Sequence, residues 1–305
     1  MTILEVKNIS KSFGSQKVLD GITFSVPKGS IYGFIGKNGA GKTTTMNIAL
    51  GLLKADQGEI TIQGKTVQYG ETETNKLVGY LPDVPEFYPF LTAREYLKLC
   101  ADISGMDAKE AKSKITELLE MVGLEDSKKR IKTYSRGMKQ RLGIAQALIN
   151  DPILLICDEP TSALDPIGRK QLLSILKKVK EKTTVIFSTH ILSDVESICD
   201  EVAILNNGRI VTQGSLSNLK SRLSSEKVSI LFDTAEEATQ IKDVLKSASL
   251  FSEINLSNHL LEGTTIDTKQ AMALTLQVLS KESITPKKIE TKEASMEDVF
   301  LEAIK

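Results

Sequence analysis

Gly36-Lys37-Asn38-Gly39-Ala40-Gly41-Lys42-Thr43 follows the apolar run Ile31-Tyr32-Gly33-Phe34-Ile35 and precedes a stretch with Met46, Ala49, Leu50 and Leu53 on one face. The unbroken apolar run reads as a strand buried on both faces, and the stretch after the glycines reads as a helix that stops near Asp56-Gln57-Gly58. The residues between them match G-x4-G-K-[ST]: glycine amides can approach phosphate oxygens, Lys42 reaches the β- and γ-phosphates, and Thr43 can hold Mg2+. Strand, glycine loop and helix in this order predict an α/β nucleotide-binding core.

Working outward, a second buried strand, Ile153-Leu154-Leu155-Ile156-Cys157, ends in Asp158-Glu159. Carboxylates at the C-terminal end of a buried strand lie where open α/β sheets bind ligands. Successive side chains at a strand end diverge, so Asp158 is expected to order Mg2+ while Glu159 polarises an attacking water. A helix with Leu172, Ile175, Leu176 and Val179 follows, then an apolar strand over Thr184 to Ser188, then a hairpin around Asn206-Asn207-Gly208. Upstream, Leu4 to Lys7 and Ile22 to Val26 alternate as half-buried antiparallel strands. Between these α/β blocks, Thr92-Ala93-Arg94-Glu95 forms a capping box and Ile115, Leu118, Leu119 and Val122 share a helix face, which marks a helical insertion over about 85–148.

A chain of 305 residues is about twice the ~150 that one domain takes, so two folding units are expected. The serines at 215, 217, 221, 224 and 225 read as a linker over 216–225. The stretch 226–305 reads as β-α-β-β-α-β plus a closing helix, Met296 to Ile304, a ferredoxin-like order. Lys and Arg total 39 and so do Asp and Glu, which argues against unaided binding to nucleic acid or an anionic membrane. No apolar run approaches the ~20 residues of a membrane span and no leader pattern opens the chain. Three scattered cysteines, Cys100, Cys157 and Cys199, read as buried thiols of a reducing, cytoplasmic compartment.

The stretch that separates P-loop families is Tyr134-Ser135-Arg136-Gly137-Met138-Lys139-Gln140-Arg141, which stands shortly upstream of Asp158-Glu159. With Ser162-Ala163-Leu164-Asp165 and Thr189-His190 downstream, the chain over roughly 1–215 resembles the ATP-binding subunit of ABC transporters. The signature and the ending Met296-Glu297-Asp298-Val299-Phe300 resemble the ATPases that drive ABC-2 type exporters, of the bacitracin- and daunorubicin-resistance kind. The resemblance implies a RecA-like core with an antiparallel β subdomain and a helical insertion. It implies that Phe13 stacks on adenine, that Thr44 joins residues 36–43 at the nucleotide, and that His190 holds the γ-phosphate or water against Glu159. Ser135 and the Gly137 amide, at a helix N-terminus, are implied to bind the γ-phosphate held by an opposite subunit, so that ATP joins two chains, alike or related. The same resemblance implies an integral-membrane permease, docked near Asp83 to Arg94, that carries the exported substrate and holds the ATPase peripherally at the inner face of the membrane.

Three positions depart from the family pattern, of which Cys157, directly before the carboxylate pair, reads as a small buried hydrophobe rather than a redox switch. Asp83 stands where the family usually has Gln; it can still accept Mg2+, and it adds a negative charge. Arg136 replaces a signature glycine, and pairing with phosphate or facing solvent are both open to it. Two other functions compete with the transporter reading: a nucleotide-gated regulatory module without transport, and a P-loop kinase. A single ATPase unit without a basic stripe weighs against the first, and the signature with its switch histidine against the second.

Overall fold

A computed structural model describes the chain except residues 71, 72, 125–127, 223–225, 247–249, 266, 293 and 305. It divides into two compact units, Met1–Leu216 and Ser217–Ala303.

In the first unit, β1 (Thr2–Phe13) and β2 (Gln16–Pro27) pair antiparallel, and β3 (Ile31–Ile35) leads through the glycine loop into α1 (Lys42–Ala49). Then come β4 (Gln57–Ile62), β5 (Lys65–Thr66) and β6 (Val78–Leu81), followed by the helices α2 (Ala93–Ile103), α3 (Ala108–Met121) and α4 (Arg136–Ala147). The chain closes this unit with β7 (Leu154–Asp158), α5 (Pro166–Val179), β8 (Thr184–Thr189), α6 (Leu192–Ile198), β9 (Glu201–Asn206) and β10 (Arg209–Ser215). An antiparallel sheet runs β2-β1-β4-β5, and the central sheet runs β10-β9-β3-β8-β7-β6, parallel except for the β9–β10 hairpin. Ile22, Phe24 and Val26 are buried and the intervening Thr23 and Ser25 exposed, as one-sided burial requires, whereas every residue of β3, β7 and β8 is buried. Phe24 stacks on Tyr32 and Phe34 with centroids 5.7 and 5.1 Å away, so both sheets share one apolar core.

The helix after the glycine loop is shorter than its periodicity predicts. Gly51 adopts φ +69°, its N–H bonds the Ile48 carbonyl and that of Leu52 the Asn47 carbonyl, a Schellman stop that puts Leu53 outside the helix. At α2 the Thr92 hydroxyl accepts from the Glu95 N–H and Glu95 reaches back to the Thr92 N–H, the predicted capping box.

Residues 216–222, read as linker, form the helix α7 (Leu216–Arg222), in which Leu219 is buried; Ser224 and Ser225 lie outside the described residues. Serine content marked a break that a buried leucine and local hydroxyl bonding, Ser221 to the Asn218 carbonyl at 3.0 Å, override. The second unit continues with β11 (Glu226–Leu231), α8 (Ala235–Lys246), β12 (Glu253–Ser257), β13 (Leu260–Thr265), α9 (Thr268–Lys281), β14 (Lys288–Lys292) and α10 (Met296–Ala303). The predicted end of one of its strands, Ile266, lies outside the described residues. Its sheet runs β12-β13-β11-β14, antiparallel throughout, over a core of Val228, Ile230, Phe232, Ile241 and Leu261. That strand order and the β-α-β-β-α-β sequence make it a ferredoxin-like unit.

Candidate nucleotide site

Four adjacent parallel strands, β3, β8, β7 and β6, run the same way, and every residue singled out for chemistry in the P-loop, the carboxylate pair and the switch ends or follows one of them at its C-terminal side. After β3, Gly39 and Gly41 take φ +81° and +110°. Gly36 and Gly41 admit no side chain: a Cβ at Gly36 would lie 2.6 Å from the Leu205 carbonyl oxygen, and one at Gly41 2.6 Å from the Leu19 side chain. Lys37, Asn38 and Gly39 are exposed while Ala40 is buried, and the Ala40 N–H closes the loop on the Lys37 carbonyl. The Lys42 ammonium folds back over the loop and donates to the Gly36 and Lys37 carbonyls at 2.8 and 3.3 Å. Thr43 is exposed and Thr44 half-buried in the first turn of α1.

Asp158, 3% exposed, accepts from the Ser188 hydroxyl at 2.5 Å across the β7–β8 register, where the two residues are partners. Glu159 sits at φ +47°, a left-handed conformation costing about 1 kcal/mol for a residue with a Cβ. Its N–H is held by both the Ser188 hydroxyl and the Ser188 carbonyl, at 3.0 and 3.2 Å. The strained turn aims the carboxylate between two cations or donors: Oε1 is 3.0 Å from the Lys42 ammonium, and Oε2 is 2.9 Å from His190 Nδ1. An ionised carboxylate only accepts, so Nδ1 carries the hydrogen and Nε2 is left for another partner. Thr189, fully buried, fixes the turn after β8 by accepting from the Ile191 N–H at 3.0 Å. The structure therefore brings Lys42, Asp158, Glu159 and His190 into one bonded group and adds Ser188, which sequence reasoning missed. Only the pairing of β7 with β8 reveals it.

Asp83, after β6, pairs with Arg136 Nη2 at 3.0 Å, which answers what Arg136 does within one chain. Burial pushes the Asp83 carboxyl up, Arg136 draws it down, and Asp158 and Glu159 push it up again, so it belongs electrostatically to the same site. Ser135 caps α4 by accepting from the Met138 N–H at 3.2 Å, and Gly137 lies against Leu164. Among the described residues, no hydrogen bond or ion pair joins Ser135 or Gly137 to Lys42 or Glu159 of the same chain. Phe13 ends β1 half-exposed, with the Lys11 ammonium 5.5 Å from its ring centroid. The Cys157 thiol is pushed up by burial and by Asp158, the state of an inert packed sulfur. A second unforeseen link joins the helices behind the carboxylate turn and the switch turn: Arg169 of α5 pairs with Asp194 of α6, which is 2% exposed.

The family model described as ABC transporter matches residues 19–162. The ABC transporter ATP-binding protein YxlF of Bacillus subtilis (strain 168) is 36% identical over 303 residues, 99% of both chains. The chain belongs to the ATP-binding proteins of ABC transporters. Bacitracin transport ATP-binding protein BcrA of Bacillus licheniformis is 45% identical to this ATPase over 224 residues, 72% of each chain. A solved structure titled as the dimeric post-hydrolysis state of the ATP-binding cassette MJ0796 bound to ADP and Pi superposes with a TM-score of 0.63 at 25% identity, covering 70% of this chain and 99% of that one. This ABC ATPase is thus the subunit that binds and hydrolyses ATP for a transporter. No helix among its described residues is long and apolar enough to cross a membrane.

Proposed function

We propose that two copies of this chain, or one copy and a related ATPase, close on ATP and hydrolyse it with Glu159 as base, driving a separate integral-membrane permease that exports a drug, peptide antibiotic, lipid or ion. The single observation behind the assignment of roles is the Glu159 carboxylate held between Lys42 and His190 at the strand ends. Phosphate binding by the loop is supported by two glycines that let the backbone pack tightly against Leu19 and Leu205 and by Lys42, whose ammonium already bends over the loop carbonyls. When the γ-phosphate takes Lys42, Glu159 keeps His190 as its remaining partner and can accept a proton from water. Ser135 and Gly137 stand at the N-terminus of α4, with no bond to the Lys42–Glu159 group among the described residues, and a helix N-terminus suits a phosphate supplied by a second copy.

Asp158 and the Thr43 hydroxyl offer oxygens of the kind Mg2+ takes and would hold it, with Asp83 as a third candidate oxygen; the ion would supply charge neutralisation to the phosphates. Phe13, exposed and backed by Lys11, suits stacking on adenine. A groove lined by Asp83, Val84, Pro85, Phe87, Ile131 and Lys132, beside the exposed Tyr88 and Phe90, supports permease docking on the segment before α2. Such docking places the ATPase on the inner face of the membrane. The likeness to the bacitracin protein supports export of a compound of that kind.

Glu159→Gln tests the base directly. We expect it to keep ATP binding, to lower turnover by at least about a hundredfold and to trap an ATP-bound dimer visible by sedimentation; turnover at the parent rate would remove Glu159 from the role. The same variant, purified with MgATP from gently solubilised membranes, should bring a multi-span protein with it in fixed stoichiometry.

A further inference from the structure

Arg136, Gln140 and Gly143 follow one another at i, i+4 and i+7 along α4 and so share one of its faces. All three meet the segment that leaves β6. Arg136 Nη2 is 3.0 Å from Asp83 Oδ1. Gln140, with 0% exposure, donates from Nε2 to the Asp83 carbonyl at 2.6 Å, and its Oε1 is buried without a partner. Gly143 lets the helix touch the same segment, since a Cβ there would lie 2.5 Å from Leu81 Cδ1 and 3.4 Å from Pro85 Cβ. An exposed ion pair alone contributes little. Here its carboxylate belongs to a residue whose backbone is already fixed from the next turn of the same helix by a buried amide, so the pair closes over a preset geometry.

We propose that Arg136 and Gln140 are positioning residues which fasten the first two turns of α4 to Asp83, so that Ser135 moves as one body with the segment 83–85. The inference rests on the reading that Ser135 meets the nucleotide of a second copy. Asp83 is then the point at which the groove before α2 and the cap of α4 become mechanically continuous. The ion pair exists because two positions carry charge together, and it links residues 53 apart in the chain.

The test uses the full chain carrying Glu159→Gln, with the MgATP-dependent dimer measured by sedimentation and the nucleotide-free chain by amide hydrogen exchange. Arg136→Ala and Asp83→Ala should each raise the chain concentration at half-dimerisation about fivefold, the upper range for an exposed pair. The double variant should be no worse than either single one. Arg136→Lys should recover most of the loss. Exchange at the Met138 and Lys139 amides of nucleotide-free Arg136→Ala should quicken, and ATP binding below the dimerisation range should match the parent. Gln140→Met, which removes the deeper bond, should weaken dimerisation in the same direction. Additive losses in the double variant, or unaltered dimerisation in both single variants while Ser135→Ala weakens it, would overturn the joint and leave the dimer reading standing. A Ser135→Ala variant that dimerises like the parent would overturn the role of Ser135 and the joint with it.

Discussion

Ser188 stands just before the Thr189-His190 pair but belongs to no motif that was read, yet its one hydroxyl donates to Asp158 and accepts from the Glu159 N–H. It fixes a carboxylate oxygen on one strand and holds the strained φ of the next residue. Ser188→Ala leaves a buried carboxylate oxygen short of a partner and the Glu159 N–H with the residue 188 carbonyl alone, which costs about 1–3 kcal/mol of stability. Groups that orient a ligand or base typically matter by about 10–100-fold. We therefore expect kcat to fall by at least about tenfold while Ser188→Thr, which keeps the hydroxyl, retains more activity; steady-state ATPase assays over a range of Mg2+ check this. An unchanged kcat in Ser188→Ala would show that Asp158 and Glu159 hold their places without it. The P-loop, the acidic pair and the switch histidine were readable because each is a short contiguous motif. Ser188 with Asp158, Arg169 with Asp194 and Arg136 with Asp83 are separated by 30, 25 and 53 residues, and only strand pairing and helix packing bring them together.

Local rules performed unevenly among the elements, for reasons visible in each. The alternation of β2 and the unbroken apolar runs of β3 and β7 report burial directly, so their strands stand where periodicity put them. The overshoot at α1 came from apolar residues that continue in register past Gly51, where a left-handed turn ends the helix. Composition misjudged α7 because serine is common both in linkers and at helix surfaces. The last helix shows what its acidic start does. At α10 the Ser295 hydroxyl accepts from the Asp298 N–H while Asp298 accepts from both the N–H and the hydroxyl of Ser295, and Lys227 of β11 pairs with the same carboxylate at 2.6 Å. Burial raises the Asp298 carboxyl, but the bonds from Lys227 and Ser295 outweigh it and hold it below the ordinary range. A depressed carboxyl stabilises the fold above its unfolded pKa, about 3.9, and that contribution fades as pH falls through the lower folded value. Asp298→Ala should therefore cost about 1 kcal/mol at neutral pH and much less in acid, measured by urea unfolding at pH 7 and pH 3. An equal loss at both pH values would assign the effect to packing alone.

At the scale of the whole molecule, two units each carry an apolar core of their own, and only Met1–Leu216 holds the nucleotide site. A ligand stabilises what it binds, by about 2.7 kcal/mol at a hundred times its Kd. Calorimetry of the Glu159→Gln chain should accordingly show two transitions, of which MgATP shifts one upward and leaves the other in place. A single transition shifted as a block would mean that the units unfold together. The β-α-β-β-α-β order of the second unit was readable from strand alternation and helical spacing together, whereas its sheet order, with β11 between β13 and β14, is a product of packing.

Because β6 and β7 lie side by side and parallel, everything from 82 to 153 is a single crossover connection between neighbouring strands. Its entry and exit are set by the sheet, and its length is not. The stretch ahead of α4 can therefore lengthen or shorten while the strand ends that lead to Lys42 and carry Asp158, Glu159 and His190 stay in register.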